Sequence, residues 1–119
     1  MSRRDISFFL DDILEGIDAI EEYIHGFSKE EFASDRKTFD AVVRNLEVIG
    51  EACSNIPDSL RDQYAQIPWR KIVGLRNVVI HHYFGVDPET VWFIITRQLP
   101  ELRDQIEKMR RTLKPSECE

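Results

Sequence analysis

Long apolar runs are missing from this sequence: nothing in its 119 residues approaches the roughly 20 consecutive apolar residues of a membrane span. Cysteine is scarce, with 2 in the chain. Cys53 falls on an apolar stripe and Cys118 in the tail, so neither a disulfide framework nor a metal knuckle is indicated. Strand-like alternation, internal repeats and low-complexity tracts are lacking as well, which argues against a β fold or a solenoid. Positive charge is in deficit, 16 Lys and Arg against 22 Asp and Glu, for a net charge of −6. A strong non-specific nucleic-acid binder usually carries the opposite balance. Any contact with RNA or DNA must therefore be local, a small basic pocket on an acidic body. The opening MSRRDISFFLDDILEG places arginines before an apolar stretch, as a secretory leader does. Asp11, Asp12 and Glu15 interrupt it early and no small-residue cleavage site follows. It reads as an amphipathic helix of a cytoplasmic protein.

What the sequence does contain is helical periodicity. Ile6, Phe9, Leu10, Ile13, Ile17, Ile20 and Ile24 recur three or four apart and predict a helix over about 3–25, ended by Gly26. Ser28 with Glu31 reads as a capping box opening a short turn. Phe39, Val42, Val43, Leu46, Ile49, Cys53 and Ile56 form the stripe of a second helix, stopped by Pro57. Asp58 is the expected cap of a short helix through Tyr64. Pro68 opens the next, Trp69 to about Phe84, and Gly85 closes it. Asp87 and Pro88 start the last, whose stripe runs from Val91 through Ile95, Leu99, Leu102, Ile106 and Met109 to Leu113, with a kink expected near Pro100. With 42% hydrophobic and 32% charged residues, this predicts one all-α bundle of four to five helices.

One stretch of that bundle is chemically dense. In RNVVIHHYFGVD, Arg76 and Tyr83 share a helical stripe and Asn77 and His81 are neighbours four apart. At about 100° per residue these four polar residues span an arc of about 160°. Ile72, Leu75, Val78 and Val79 make the opposite, core face, and His82 points toward it, as a hydrogen-bonded core or interface histidine would. Such a group suits phosphodiester cleavage without a metal. Arginine stays charged and offers a planar fork to phosphate oxygens, histidine titrates near neutrality as a general acid or base, and RNA brings its own nucleophile in the 2′-hydroxyl.

At these residues the sequence resembles the HEPN superfamily, and more narrowly its HepT-like toxins. The motif of that branch is Arg-x4-His-x-Tyr, matched by Arg76, His81 and Tyr83. The words VVRNLEVIGEA, IPWRKIVGLRN and YFGVDPETVW carry the likeness across most of the chain. The resemblance implies a HEPN-type helical bundle, one domain over 1–114 followed by a flexible tail at 115–119, that forms a homodimer with two motifs facing one cleft. It implies a metal-independent ribonuclease acting as the toxin of a type VII toxin–antitoxin system, with Arg76 and His81 catalytic and no cofactor. A partner nucleotidyltransferase of the MntA kind would restrain it by transferring AMP to Tyr83. From the residues themselves, Asn77 and Tyr83 are expected either beside the substrate or supporting the pair, Asn77 binding the phosphate or fixing His81. One departure stands out: relatives commonly carry glycine after the motif histidine, where this chain has His82. The superfamily's wider Arg–His spacing also admits His82 as the motif histidine, although the His-x-Tyr spacing and the helical faces favour His81.

Other polar residues have plainer readings. Asp40, Arg44, Glu47 and Glu51 form a stripe expected to be a solvated helix face, with Glu47 or Glu51 as alternative supports for Arg76 or His81. Arg70 and Lys71 widen a basic pocket or are ordinary cations at a helix start. Trp69 and Trp92 are expected packing anchors, and His25 complements the end of the first helix. Two other functions fit less well: a non-catalytic helical partner of the nucleotidyltransferase, and a metal-dependent hydrolase. The second lacks a Glu-x-x-His pair, and adjacent histidines diverge on a helix.

Overall fold

The one-sided first helix forms as its spacing predicts. In the computed structural model, which describes residues 3–74 and 87–113, α1 runs Arg3–Ile24 and buries Leu10, Ile13, Ile17 and Ile20 completely. Gly26 ends it at φ +81°, a left-handed conformation that costs glycine nothing and a β-carbon more. The capping box is present in both directions. Ser28 Oγ accepts from the Glu31 N–H at 3.1 Å and Glu31 Oε1 accepts from the Ser28 N–H at 2.8 Å. The box opens a full helix, α2 (Lys29–Ser34), rather than the turn the sequence suggested. Asp35 then caps α3 (Arg36–Ser54), its Oδ1 accepting from the Thr38 N–H at 3.1 Å.

α1 and α3 form the centre of the core. They meet at Gly16, where a β-carbon would stand 2.9 Å from Ile49 Cγ1 and 3.7 Å from the Asn45 carbonyl oxygen. The absent side chain is what lets the two helices approach this closely. Every residue of the predicted α3 stripe, Phe39 through Ile56, is buried.

Pro57, not Asp58, is the cap of α4 (Asp58–Gln63). Proline holds the extended cap geometry (φ −60°, ψ 146°), and its carbonyl accepts from the Leu60 and Arg61 N–H groups at 3.0 Å each. Asp58 is thereby the first helical residue, and its carboxylate pairs with Arg61 instead. The chain is helical again over 69–74, here α5, with the Pro68 carbonyl accepting from the Ile72 N–H at 3.1 Å. The predicted continuation to Phe84 and the closing Gly85 lie outside the described residues, as does the tail at 115–119.

Asp87 caps α6 (Pro88–Phe93) as expected, with Pro88 in its first turn. The irregularity foreseen near Pro100 is a π-helical turn, Ile94–Gln98, leading into α7 (Leu99–Leu113). Proline has no N–H and its ring crowds the carbonyl four residues back, that of Thr96. The ladder widens just before that point, the Leu99 N–H reaching back five residues to the Ile94 carbonyl. α7 lies antiparallel on α1, because Arg103 pairs with Asp18 and Glu21 whereas Arg110 pairs with Asp11. Among the described residues there is no strand. The fold is an all-α helical bundle, and none of its described helices is long and apolar enough to cross a membrane.

Cys53 sits fully inside this core, and burial pushes its thiol from 9.0 up to about 12. Burial penalises the thiolate, so the folded protein holds the proton where the unfolded chain has released it. Stability should accordingly fall as pH rises from about 9 toward 12, by about 1.4 kcal/mol per pH unit. Urea titrations across this range, compared with Cys53→Ala, isolate the effect: the variant should show a shallower decline. Equal slopes would mean that other groups account for the loss.

Candidate active site

Arg76, Asn77, His81 and Tyr83, together with His82, fall within 75–86 and lie outside the described residues. The structure describes the frame that receives them. On the entering side, Pro68 and Trp69 fix the start of α5. The Trp69 indole donates to the carbonyls of Arg61 and Tyr64, both at 3.1 Å, which ties α5 to α4. Trp69 and Ile72 are buried, so α5, which leads into the motif segment, is seated on the core. The expectation of a packing anchor holds for Trp69.

Two cations stand on the outer side of that seat. Arg70 and Lys71 are exposed, and neither has an ion-pair partner among the described residues. With Arg61 they flank a shallow surface over Pro68 and Trp69. Arg61 is committed to Asp58, and Asp62 borders the same surface. The positive charge is therefore small and local, as the net charge requires.

On the leaving side, Asp87 Oδ1 accepts from the Glu89 N–H at 3.2 Å and fixes the start of α6. A charged pair and an aromatic contact join α6 to α2. Lys29 Nζ donates to Glu89 at 2.9 Å, and this charge-assisted bond keeps the ammonium above its ordinary range. Beneath it the Phe32 ring packs against Trp92 at 5.3 Å and Phe39 at 5.7 Å. Trp92 is thus also the packing residue the sequence suggested.

The polar stripe of α3 divides. Asp40 pairs with Arg36 at 3.1 Å along the helix, which fits a solvated face. Arg44, Glu47, Val48 and Glu51 line an open groove shared with Phe9 and Asp12 of α1. Whether Glu47 or Glu51 supports Arg76 or His81 involves residues outside those described. His25 is exposed just past the end of α1. Among the described residues no cluster of three histidine, cysteine or carboxylate side chains has metal-binding geometry.

A cleft that the sequence does not announce lies between α5, the π turn and α7. Ile72, Ile94 and Leu102 give it an apolar lining, and Lys71, Gln98 and Gln105 stand at its polar edge. Pro100 was the one signal available. It forces the π turn whose first and last residues, Ile94 and Gln98, line the cleft.

The frame thus offers two exposed cations before the motif segment and a fixed helix start on either side of it. Comparison with known proteins gives that arrangement its context. The family model described as "Ribonuclease HepT-like" matches residues 13–109. A Thermococcus cleftensis protein named probable ribonuclease HepT is 40% identical over 92% of this chain and 99% of its own length. A Methanocaldococcus jannaschii protein named as a candidate RNase is 44% identical over 92% of this chain and 90% of its own. A longer protein of the same organism, named as a gamma-glutamylcyclotransferase and candidate RNase, is 37% identical over 93% of this chain, which spans 50% of that protein's length. No solved structure matches significantly. The matched region includes the Arg-x4-His-x-Tyr motif and both segments that frame it, and the chain belongs to the HepT-like ribonuclease family.

Proposed function

We propose that this protein is a metal-independent endoribonuclease and the toxin of a type VII toxin–antitoxin pair, held in check by a nucleotidyltransferase. The observation that carries the reading is the family match over 13–109, with RNVVIHHY intact inside it. In the proposed reaction the 2′-hydroxyl of the RNA attacks the adjacent phosphorus. The bond to the 5′-oxygen of the next nucleotide breaks, and that oxygen leaves with a proton. His81 moves protons at these oxygens. Arg76 holds the phosphate and stabilises the charge that builds on it. Asn77 and Tyr83 lie beside the substrate. Two copies form the working unit, and the exposed Phe8 on α1 and Val48 on α3 offer apolar surface for such pairing.

Neutralisation proceeds through Tyr83. Its phenolic oxygen attacks the α-phosphorus of ATP, pyrophosphate leaves, and the phenol loses its proton. With Tyr83 seven positions after Arg76 in the sequence, the spacing of one helical stripe, the resulting AMP competes with the RNA backbone by charge and by volume.

Intact-mass measurement with peptide mapping tests this, on protein produced with and without the nucleotidyltransferase and ATP. The expected result is one or more AMP units on the peptide containing Tyr83, with loss of RNA cleavage. An unmodified Tyr83 beside an active transferase would place neutralisation in simple binding.

A further inference from the structure

We propose that the cleft between α5, the π turn and α7 holds one base of the RNA and reads its edge with Gln98 and Gln105. This rests on the ribonuclease reading above and names how the substrate is selected. The size of the cleft is the first argument. It encloses about 130 Å³, close to the roughly 150 Å³ of an apolar cavity that binds benzene. One flat ring fits, and a helix or a bulky peptide does not.

Its chemistry is the second argument. Ile72, Ile94 and Leu102 supply the apolar surface on which an unstacked base is buried. The two glutamines supply what a base edge needs, a donor and an acceptor side by side on each amide. Among the described residues those amides are underused. Gln98 makes no side-chain hydrogen bond among the described residues. Gln105 makes one, a long 3.5 Å donation to the Gln66 carbonyl, which leaves its amide oxygen for a ligand. Glu101 adds an acceptor at the rim for an exocyclic amino group.

Position is the third argument. Lys71 borders the cleft without an ion-pair partner among the described residues and stands five positions before Arg76 in the sequence. It is placed to neutralise a backbone phosphate of the nucleotide whose base fills the cleft. The π turn that brings Gln98 to the cleft is a distortion that occurs often at functional sites.

Two measurements test the proposal. In the first, the side-chain amide resonances of Gln98 and Gln105 are followed while each of the four ribonucleoside 5′-monophosphates is titrated. In the second, wild type, Gln98→Ala and Gln105→Ala cleave RNA oligonucleotides that differ in the bases flanking the cut. Saturable shifts that favour some bases over others are expected, and each variant should lose about tenfold in kcat/KM on the preferred RNA and discriminate less. Unshifted amides with unchanged base preference in both variants would overturn the base pocket and leave the ribonuclease reading standing. Shifts with a monophosphate in a protein that cleaves no RNA would do the reverse. The pocket would then hold a base from a free nucleotide, and the ribonuclease reading would fall.

Discussion

Alanine at Arg76 or at His81 should each lower RNA cleavage by about 10²–10⁴-fold and abolish growth inhibition, with the bundle still folded. The magnitude follows from the two roles. General acid–base transfer typically contributes that range, and loss of one preorganised charge at a developing phosphorane costs a similar factor. Combined replacement should cost far less than the product of the two, because groups acting on one transition state are not additive. His81→Ala should also change the pH dependence of the residual rate near neutrality, where an imidazole titrates. Arg76→Lys is the informative conservative change. It keeps the charge but loses the planar fork, so it should recover only part of the activity. Circular dichroism and size measurements check that each variant folds and associates as wild type does. Wild-type toxicity in both alanine variants would remove these residues from the site and favour a non-catalytic partner of the nucleotidyltransferase.

The parts of the fold that were legible in the sequence share one physical property: their signal is local. The α1 and α3 stripes depend on a residue and its neighbours three and four positions away, and every predicted α3 stripe residue is buried. The Ser28–Glu31 box and the Asp87–Pro88 start are likewise decided within one turn. At Asp58 expectation and structure differ because two cap candidates are adjacent. Pro57 already held the cap geometry, so the better side-chain capper moved inside the helix. The π turn was legible only as a disturbance at Pro100, because proline announces a lost hydrogen bond but not how the ladder redistributes it. The cleft beside it was invisible in the sequence. Its lining comes from 68–72 and 94–105, and no periodicity connects segments that far apart. The motif itself was the converse case, conspicuous in sequence through its residue types and their spacing.

Phe32 is where a single substitution should damage the fold most. It is the one buried residue of α2, with none of its side chain exposed. Its ring meets Phe39 of α3 and Trp92 of α6, so three helices converge on one side chain. Phe32→Ala should cost about 3–5 kcal/mol, the usual range for emptying a buried phenylalanine site. That is a large share of the roughly 5–15 kcal/mol that holds a domain together. The Lys29–Glu89 pair also ties α2 to α6, but it is exposed and screened by solvent, and it does not replace the ring. Phe32→Leu keeps most of the apolar volume and should cost markedly less than the alanine change. Urea unfolding midpoints at constant slope give the stabilities, and amide exchange should show α2 and the start of α6 losing protection first. Because α6 begins immediately after the motif segment and Asp87, cleavage activity in Phe32→Ala should fall more than the folded fraction does. A cost below about 1 kcal/mol, or loosening spread evenly over α1 and α3, would show that the aromatic cluster does not hold this side of the site.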